Sequence, residues 1–392
     1  MQTLIELYDD RPLENILGVE MFHPRRVVYV CPQDVAEDYK AHRKLREYFA
    51  HRGEECELFF VRAKIYDTAA MLELFRSIVK QYPDCALDIT GGTDAVLFAA
   101  GLLSTEVDIP VFTYSRRKNC FYDIQNAPYA AKLPCDVNYK VEDCFLMAGG
   151  SMRKGRIDNA ILGEYLEYVD PFFQLYLRYR RKWNKAVNYI QRVSPSTPDG
   201  SVSLEVNGGY TVKGERGALI DAPEDLLRDL EEIGFLHDLV IKEGESVSFR
   251  FHDRQIRAWL RDVGSVLELY TYKACLDSGL FQDVITSAVV DWEGSEKENA
   301  VSNELDVMCT RGVTPVFISC KTCGVKTEAL NELAVLRDRF GGQIAKAAIV
   351  TAERGGTPMR NRAAELGIMV IDLNDLLAGR IQQRLRTLMR KT

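Results

Sequence analysis

The first 135 residues alternate short apolar runs with amphipathic stretches, and that rhythm leaves few folds open. TLIELY (3–8), RVVYVC (26–31), CELFFV (56–61), CALDIT (85–90) and PVFTYS (110–115) have the length and apolar density of buried strands. Between them lie PLENILGVEMF, DVAEDYKAHRKLREYFAHRG, DTAAMLELFRSIVKQY and DAVLFAAGLLS, which carry apolar residues at helical spacing. Antiparallel neighbours need only a tight turn, whereas connections of this length suit helices crossing between parallel strands. Such helices cover both sheet faces, which is why the strands are apolar throughout. The segment predicts a parallel α/β unit, with NCFYDIQ (119–125) as an antiparallel addition after the SRRKN turn.

The rest of the chain follows a different pattern. Gly155 to Arg192 reads as helical, with dense aromatics and the run RYRRKWNK (178–185), and SPSTPDGS (194–201) breaks it. Residues 202–252 read as a small α+β element, either a wing-like insert or the leading edge of the next domain, with a hairpin signal at Asn207-Gly208. DRQIRAWLRDVGSVLELYTYKACLDSG is expected as one long helical stretch. Strands VITSAVVDW (284–292), ELDVMCTR (304–311) and PVFISCKT (315–322) follow, the last two joined by a short turn at Gly312. The expected units are 1–145, a helical connector 146–201, the α+β element 202–252 and a C-terminal domain 253–392.

Composition excludes several function classes. The longest uncharged apolar run, AVLFAAGLLST, is 11 residues, well short of the ~20 that cross a bilayer, so no membrane partner is expected. The acidic start MQTLIELYDD lacks the basic region of a signal peptide. Ten scattered cysteines then read as reduced core thiols of a cytoplasmic protein. Cys320 and Cys323 make the only C-x-x-C, and the five histidines supply no second half of a zinc site. A net charge of -7 argues against a nucleic-acid partner only until it is divided. Residues 251–392 balance at +1, and 324–392 hold 12 basic against 7 acidic residues.

Two residue groups suggest chemistry. Asp88-Ile89-Thr90-Gly91-Gly92-Thr93-Asp94 falls where a buried strand ends and a helix begins. Paired glycines allow close backbone approach, and free N–H groups at a helix start attract phosphate; the alternative is a plain strand-to-helix turn capped by Thr93. No G-K-[ST] follows and the spacing is not G-x-G-x-x-G, which disfavours ATP and NAD. The loop Asp9-Asp10-Arg11-Pro12 after the first strand could face the same ligand, or simply start a helix with proline in its first turn. In the second group, strand alternation puts Glu304 with Asp306, and Ser319 with Lys321, on shared faces of adjacent strands. Glu268 in VLELYTY could project toward them. Carboxylates beside a lysine suit metal-assisted phosphodiester hydrolysis, in which carboxylates hold Mg²⁺ or Mn²⁺ and lysine neutralises developing charge. The alternative is a solvated strand face with an ion pair. The run 178–185 reads preferentially as a solvated helix face.

These pieces together resemble the CRISPR ancillary nucleases that join a CARF sensor of cyclic oligoadenylate to a PD-(D/E)xK nuclease. DITGGT carries the first half; L-E-L-Y, E-L-D-V and I-S-C-K carry the second. The resemblance implies an α/β protein: an N-terminal Rossmann-like CARF domain plus a C-terminal restriction-endonuclease-like α/β/α domain. It implies a homodimer sharing one cyclic oligoadenylate, cyclic tetra-adenylate being the expected activator. DNA or RNA would then be cut with Mg²⁺ or Mn²⁺. Carried over by position, the sensor contacts are Thr90, Gly91, Gly92 and Thr93, with Asp9 and Arg11; the nuclease positions are Glu268, Asp306 and Lys321, with Glu304 and Ser319 as secondary candidates. Two positions depart from the pattern: Asp94 stands where the sensor motif has lysine, and Ser319 where E-x-K has glutamate. The competing reading is a CARF regulator that binds DNA through 202–252 and carries a decayed nuclease fold. A third has the sensor degrading its own ligand.

Overall fold

All five expected parallel strands form, and their spatial order places the Gly91-Gly92 loop beside the first strand. The computed structural model describes residues 1–155, 157–195, 202–214, 217–292 and 302–390. Thr3–Leu7, Arg26–Cys31, Glu57–Arg62, Cys85–Asp88 and Val111–Ser115 lie in the order third, second, first, fourth, fifth. Cys120–Gln125 and Leu133–Pro134 extend the far edge antiparallel. Alternation sends Leu4, Val27 and Tyr29 toward the helices Leu17–Phe22 and Tyr39–Arg52. Ile5, Val28 and Val30 pack instead against Thr68–Gln81 and Asp94–Glu106. The strand order reverses between the first and fourth strands, where an open α/β sheet leaves a crevice beyond its carboxyl ends.

Residues 146–201 include a strand as well as helices. Ser151–Lys154 pairs with the Asp283–Asp291 strand and forms one edge of the C-terminal sheet. Helices Leu166–Tyr179 and Trp183–Val193 follow, burying Phe172, Tyr176 and Trp183. The 178–185 run is a solvated face with its aromatics turned in: Arg178 pairs with Asp229 at 2.6 Å while Trp183 is 1% exposed. Of the 194–201 break, residues 196–201 lie outside the described residues. Asn207-Gly208 makes no turn but sits inside the strand Glu205–Gly209, paired with Ser246–Phe251. Glycine serves a close approach there, because a Cβ on Gly208 would fall 2.7 Å from a methyl of Val193.

The C-terminal sheet has six strands in the spatial order Ile368–Ile371, Lys346–Thr351, Thr314–Lys321, Ser302–Arg311, Asp283–Asp291, Ser151–Lys154. Helices Ser265–Asp277 and Ile381–Arg390 cover the face of Val307, Cys309 and Cys320; helix Thr327–Gly341 covers that of Met308 and Phe317. The expected single helix over 253–279 is two, Arg254–Leu260 and Ser265–Asp277. Asp262 Oδ2 accepts from the N–H groups of Gly264 and Ser265 and from Ser265 Oγ, and so outcompetes the continuing helix. The break puts Glu268 in the first turn of the second helix. One apolar cluster runs from Leu4 and Tyr29 through Tyr139 and Phe145 to Met308 and Phe317, so both sheets share a core.

Candidate functional site

The Ser302–Arg311 and Thr314–Lys321 strands pair antiparallel about a two-residue turn, with Gly312 at φ +56°. Their register runs from Arg311 opposite Thr314 to Val307 opposite Ile318, and Asp306 and Ser319 are the next residues beyond that last pair. Asp306 Oδ2 accepts from the Cys320 N–H at 2.6 Å, Ser319 Oγ at 3.0 Å and Lys321 Nζ at 3.4 Å. Burial alone would lower the Lys321 pKa. The Asp306 carboxylate, Cys320 and Glu268 act in the opposite direction and together outweigh it, and the net effect is a rise that keeps the ammonium charged. These side chains line a small cleft of ≈ 50 Å³ with Glu304, whose Oε1 accepts from Ser287 Oγ at 3.2 Å.

Four of the five expected nuclease positions therefore converge: Glu304, Asp306, Ser319 and Lys321. Glu268 does not line the cleft; it is 3% exposed in a helix packed on the Cys320 face, and its charge acts on Lys321 and Cys320 from there. The donor set is all oxygen, the chemistry that suits Mg²⁺ or Mn²⁺ retaining part of its water shell. Among the described residues no three His, Cys, Asp or Glu side chains are gathered as a ready cage. Sequence reasoning missed Glu332, which enters the cleft from the Thr327–Gly341 helix and carries no strand-spacing signal.

At the N-terminal crevice, the Gly91-Gly92 loop packs directly on the first strand. A Cβ on Gly91 would sit 2.6 Å from the Leu7 carbonyl oxygen, and Gly92 adopts φ +92°. Beyond it opens a cleft of ≈ 710 Å³ lined by Tyr8, Asp9, Gly92, Thr93, Arg62 and Lys64 among others. Thr93 heads the Asp94–Glu106 helix and is exposed with no capping bond, so its hydroxyl and the helix start face solvent. Thr90 lies beneath: its hydroxyl bonds Asp88 Oδ1 and accepts from the Tyr114 N–H at 2.8 Å. Arg11 turns away, held by both oxygens of Asp9 at 2.7–2.8 Å, and lines a separate cavity between the two sheets. The cations lining this cleft are Arg62, which ends the third strand, and Lys64 just beyond it; no motif marks them in the sequence.

Asp88 and Glu6, register partners on adjacent strands, are both fully buried under this loop. Burial pushes the Asp88 carboxyl up to about 7 against the opposing hydrogen bonds of Thr90. Burial, with the Asp88 charge second, pushes the Glu6 carboxyl well above the usual carboxylate range.

The basic end is occupied in part. Arg360 pairs with Asp372 at 2.5 Å, and Arg380 and Arg384 with Asp375 at 3.0 and 3.5 Å, so several cations from 324 onward brace the fold. No described helix is long and apolar enough to cross a membrane.

Residues 256–392 match the family described as Card1-like, endonuclease domain. Among solved structures, protein VC1899 from Vibrio cholerae is similar at TM-score 0.74 and 17% identity, over 99% of this chain and 98% of that one. Can2 from Sulfobacillus thermosulfidooxidans, solved in complex with cyclic tetra-adenylate, gives TM-score 0.69 and 17% identity, over 99% and 97%. A type III CRISPR defence DNA nuclease activated by cyclic oligoadenylate gives 0.50 and 13%, over 95% of this chain and 48% of that one. A sequence search of curated proteins finds no match. The likeness establishes the fold: a Rossmann-like α/β sheet joined to a second, mixed-sheet α/β domain.

Proposed function

We propose that the chain is a nuclease of type III CRISPR defence that cleaves nucleic-acid phosphodiesters when cyclic oligoadenylate, by analogy with Can2 the tetra-adenylate, binds its N-terminal crevice. The observation that carries the reading is the Asp306–Lys321 pair, 3.4 Å apart on adjacent strands of a domain that matches a Card1-like endonuclease. Bound Mg²⁺ or Mn²⁺ would polarise the scissile phosphate. Asp306, Glu304 and Ser319 offer it oxygens, and Lys321, kept charged by Asp306, neutralises charge developing on the phosphoryl group. Glu268 acts from below through its field, without touching substrate.

Three features favour coupling of crevice to cleft. Tyr139 N–H donates to the Gly312 carbonyl at 3.0 Å, so the segment leaving the sensor is tied to the turn between the two catalytic strands. Arg116, in the turn after the fifth sensor strand, pairs with Glu14 and donates to Gln343 at 2.8 Å, just past the helix whose other turns line the cleft. A shared core joins both sheets. A displacement at the Asp9–Glu14 loop thus has rigid routes to both walls of the cleft.

The crevice of one chain offers half of what a ring-shaped ligand needs, and a homodimer completes it. Beside Thr93, the Asp94–Glu106 helix exposes Phe98 (62%) and Leu102 (36%), an apolar edge suited to a second copy. The protein is expected in the cytoplasm, where reducing conditions suit its ten free cysteines. The test is one gel: plasmid DNA and labelled RNA incubated with and without cyclic tetra-adenylate and Mn²⁺. Cleavage only when both are present is expected; intact substrate in every lane overturns the reading and favours the DNA-binding regulator.

A further inference from the structure

Where E-x-K has its glutamate, this chain has Ser319, so the strand brings no carboxylate beside Asp306. A carboxylate reaches the same cleft from another element. Glu332, in the second turn of the Thr327–Gly341 helix, lines it with Glu304, Asp306, Ser319 and Lys321. An exposed glutamate ordinarily keeps its rotamer freedom, because fixing a long side chain costs entropy. This one is fixed. The Trp292 indole N–H can only donate, and it meets Asn303 Oδ1 at 2.7 Å. That contact sets which way the amide points, and Asn303 Nδ2 then donates to Glu332 Oε1 at 2.6 Å. One carboxylate oxygen is thereby anchored to the strand that carries Asp306. Glu304 lines the cleft as well, its Oε1 held in the same way by Ser287 Oγ on the neighbouring strand, so substitution is what tells the two carboxylates apart.

Resting on the nuclease reading above, we propose that Glu332 replaces the strand glutamate absent at Ser319 and completes, with Asp306, the divalent-cation site of the cleft. Asn303 is its positioning residue. The active site thereby draws its carboxylates from a strand and a helix, and tilting that helix changes their spacing. The same helix ends at Phe340–Gly341, against the cavity shared with Arg11 and Arg116 of the sensor domain.

The test uses the full-length protein with Mn²⁺ as probe, read by titration calorimetry and by the loss of the free-ion EPR signal, neither of which requires cleavage. Glu332→Gln is expected to weaken Mn²⁺ binding about tenfold or more. Asn303→Ala is expected to weaken it less, since it frees the carboxylate without removing it. Ser319→Glu introduced into Glu332→Gln returns a carboxylate to the strand and is expected to restore both Mn²⁺ binding and ligand-stimulated cleavage. That recovery separates loss of a ligand from loss of folding. Glu332→Gln binding Mn²⁺ like wild type overturns the proposal, as does wild type binding no Mn²⁺, or the loss falling on Glu304→Gln instead. If the Mn²⁺ pattern holds but no variant cuts, the nuclease reading fails and the assignment of Glu332 stands.

Discussion

Asp88→Asn isolates the buried acid pair beneath the Gly91-Gly92 loop. Asp88 is fully buried, its Oδ1 holds both the N–H and the hydroxyl of Thr90, and its Oδ2 meets no hydrogen-bond partner among the described residues. Burial pushes its carboxyl up to about 7 in the fold, from the 3.8 of an ordinary aspartate. The folded state therefore keeps its proton longer than the unfolded state, and between about pH 4 and pH 7 stability falls as pH rises. Below that window the group is neutral in both states; above it the full cost is present. Raising an acid from 3.8 to about 7 corresponds to about 4 kcal/mol between pH 4 and pH 8. Asparagine keeps the Oδ1 acceptor for Thr90 and cannot ionise, so it removes this dependence while leaving the loop positioned. Denaturant unfolding of wild type and Asp88→Asn at pH 5, 6, 7 and 8 gives the measurement. The variant's advantage should grow with pH, reaching a few kcal/mol at pH 8, with ligand binding retained. Parallel pH profiles, or a variant less stable than wild type at pH 8, would refute the reasoning.

Other substitutions probe separate joints. Gly18→Ala sets a Cβ 2.4 Å from Asp88 Oδ2 and 2.7 Å from Glu6 Oε1; overpacking predicts a loss of about 1–3 kcal/mol, read by the denaturation midpoint. Arg116→Ala removes the bonds to Glu14 and Gln343. Cyclic tetra-adenylate affinity should hold while ligand-stimulated cleavage falls; equal stimulation would remove this contact from the coupling route. Phe98→Asp places a charge on the exposed edge of the Asp94–Glu106 helix, and sedimentation should show a dimer becoming a monomer; an unchanged dimer places the interface elsewhere.

The architecture was legible wherever apolar runs were bounded by turn residues. The five parallel N-terminal strands and the hairpin of Asp306 and Lys321 formed as their patterns indicated, because strand alternation and burial are local properties of sequence. Features set by competition were hidden. Nothing in the helical spacing of 253–279 reveals that Asp262 will capture three donors and end the first helix. Asn207-Gly208 has the composition of a turn, yet Gly208 serves the approach of Val193, a contact known only once the domain is packed. The strand Ser151–Lys154 carries a polar edge sequence with no alternation to mark it. At the sites, residues grouped within one motif were found, and those delivered by other elements were not. Glu332, Arg62 and Lys64 are exposed charged residues in sequence and become cleft residues only through tertiary placement. Conversely Thr90 and Arg11, prominent in their motifs, are spent on Asp88, Tyr114 and Asp9.

The central claim is that Lys321 and Asp306 cut phosphodiesters under the control of a ligand bound elsewhere. The most direct measurement is the ligand-stimulated cleavage rate of Lys321→Ala, paired with its affinity for cyclic tetra-adenylate. The account predicts a rate reduced about 100-fold or more with affinity unchanged, because the lysine faces the cleft and not the crevice. Cleavage by Lys321→Ala at the wild-type rate would contradict it.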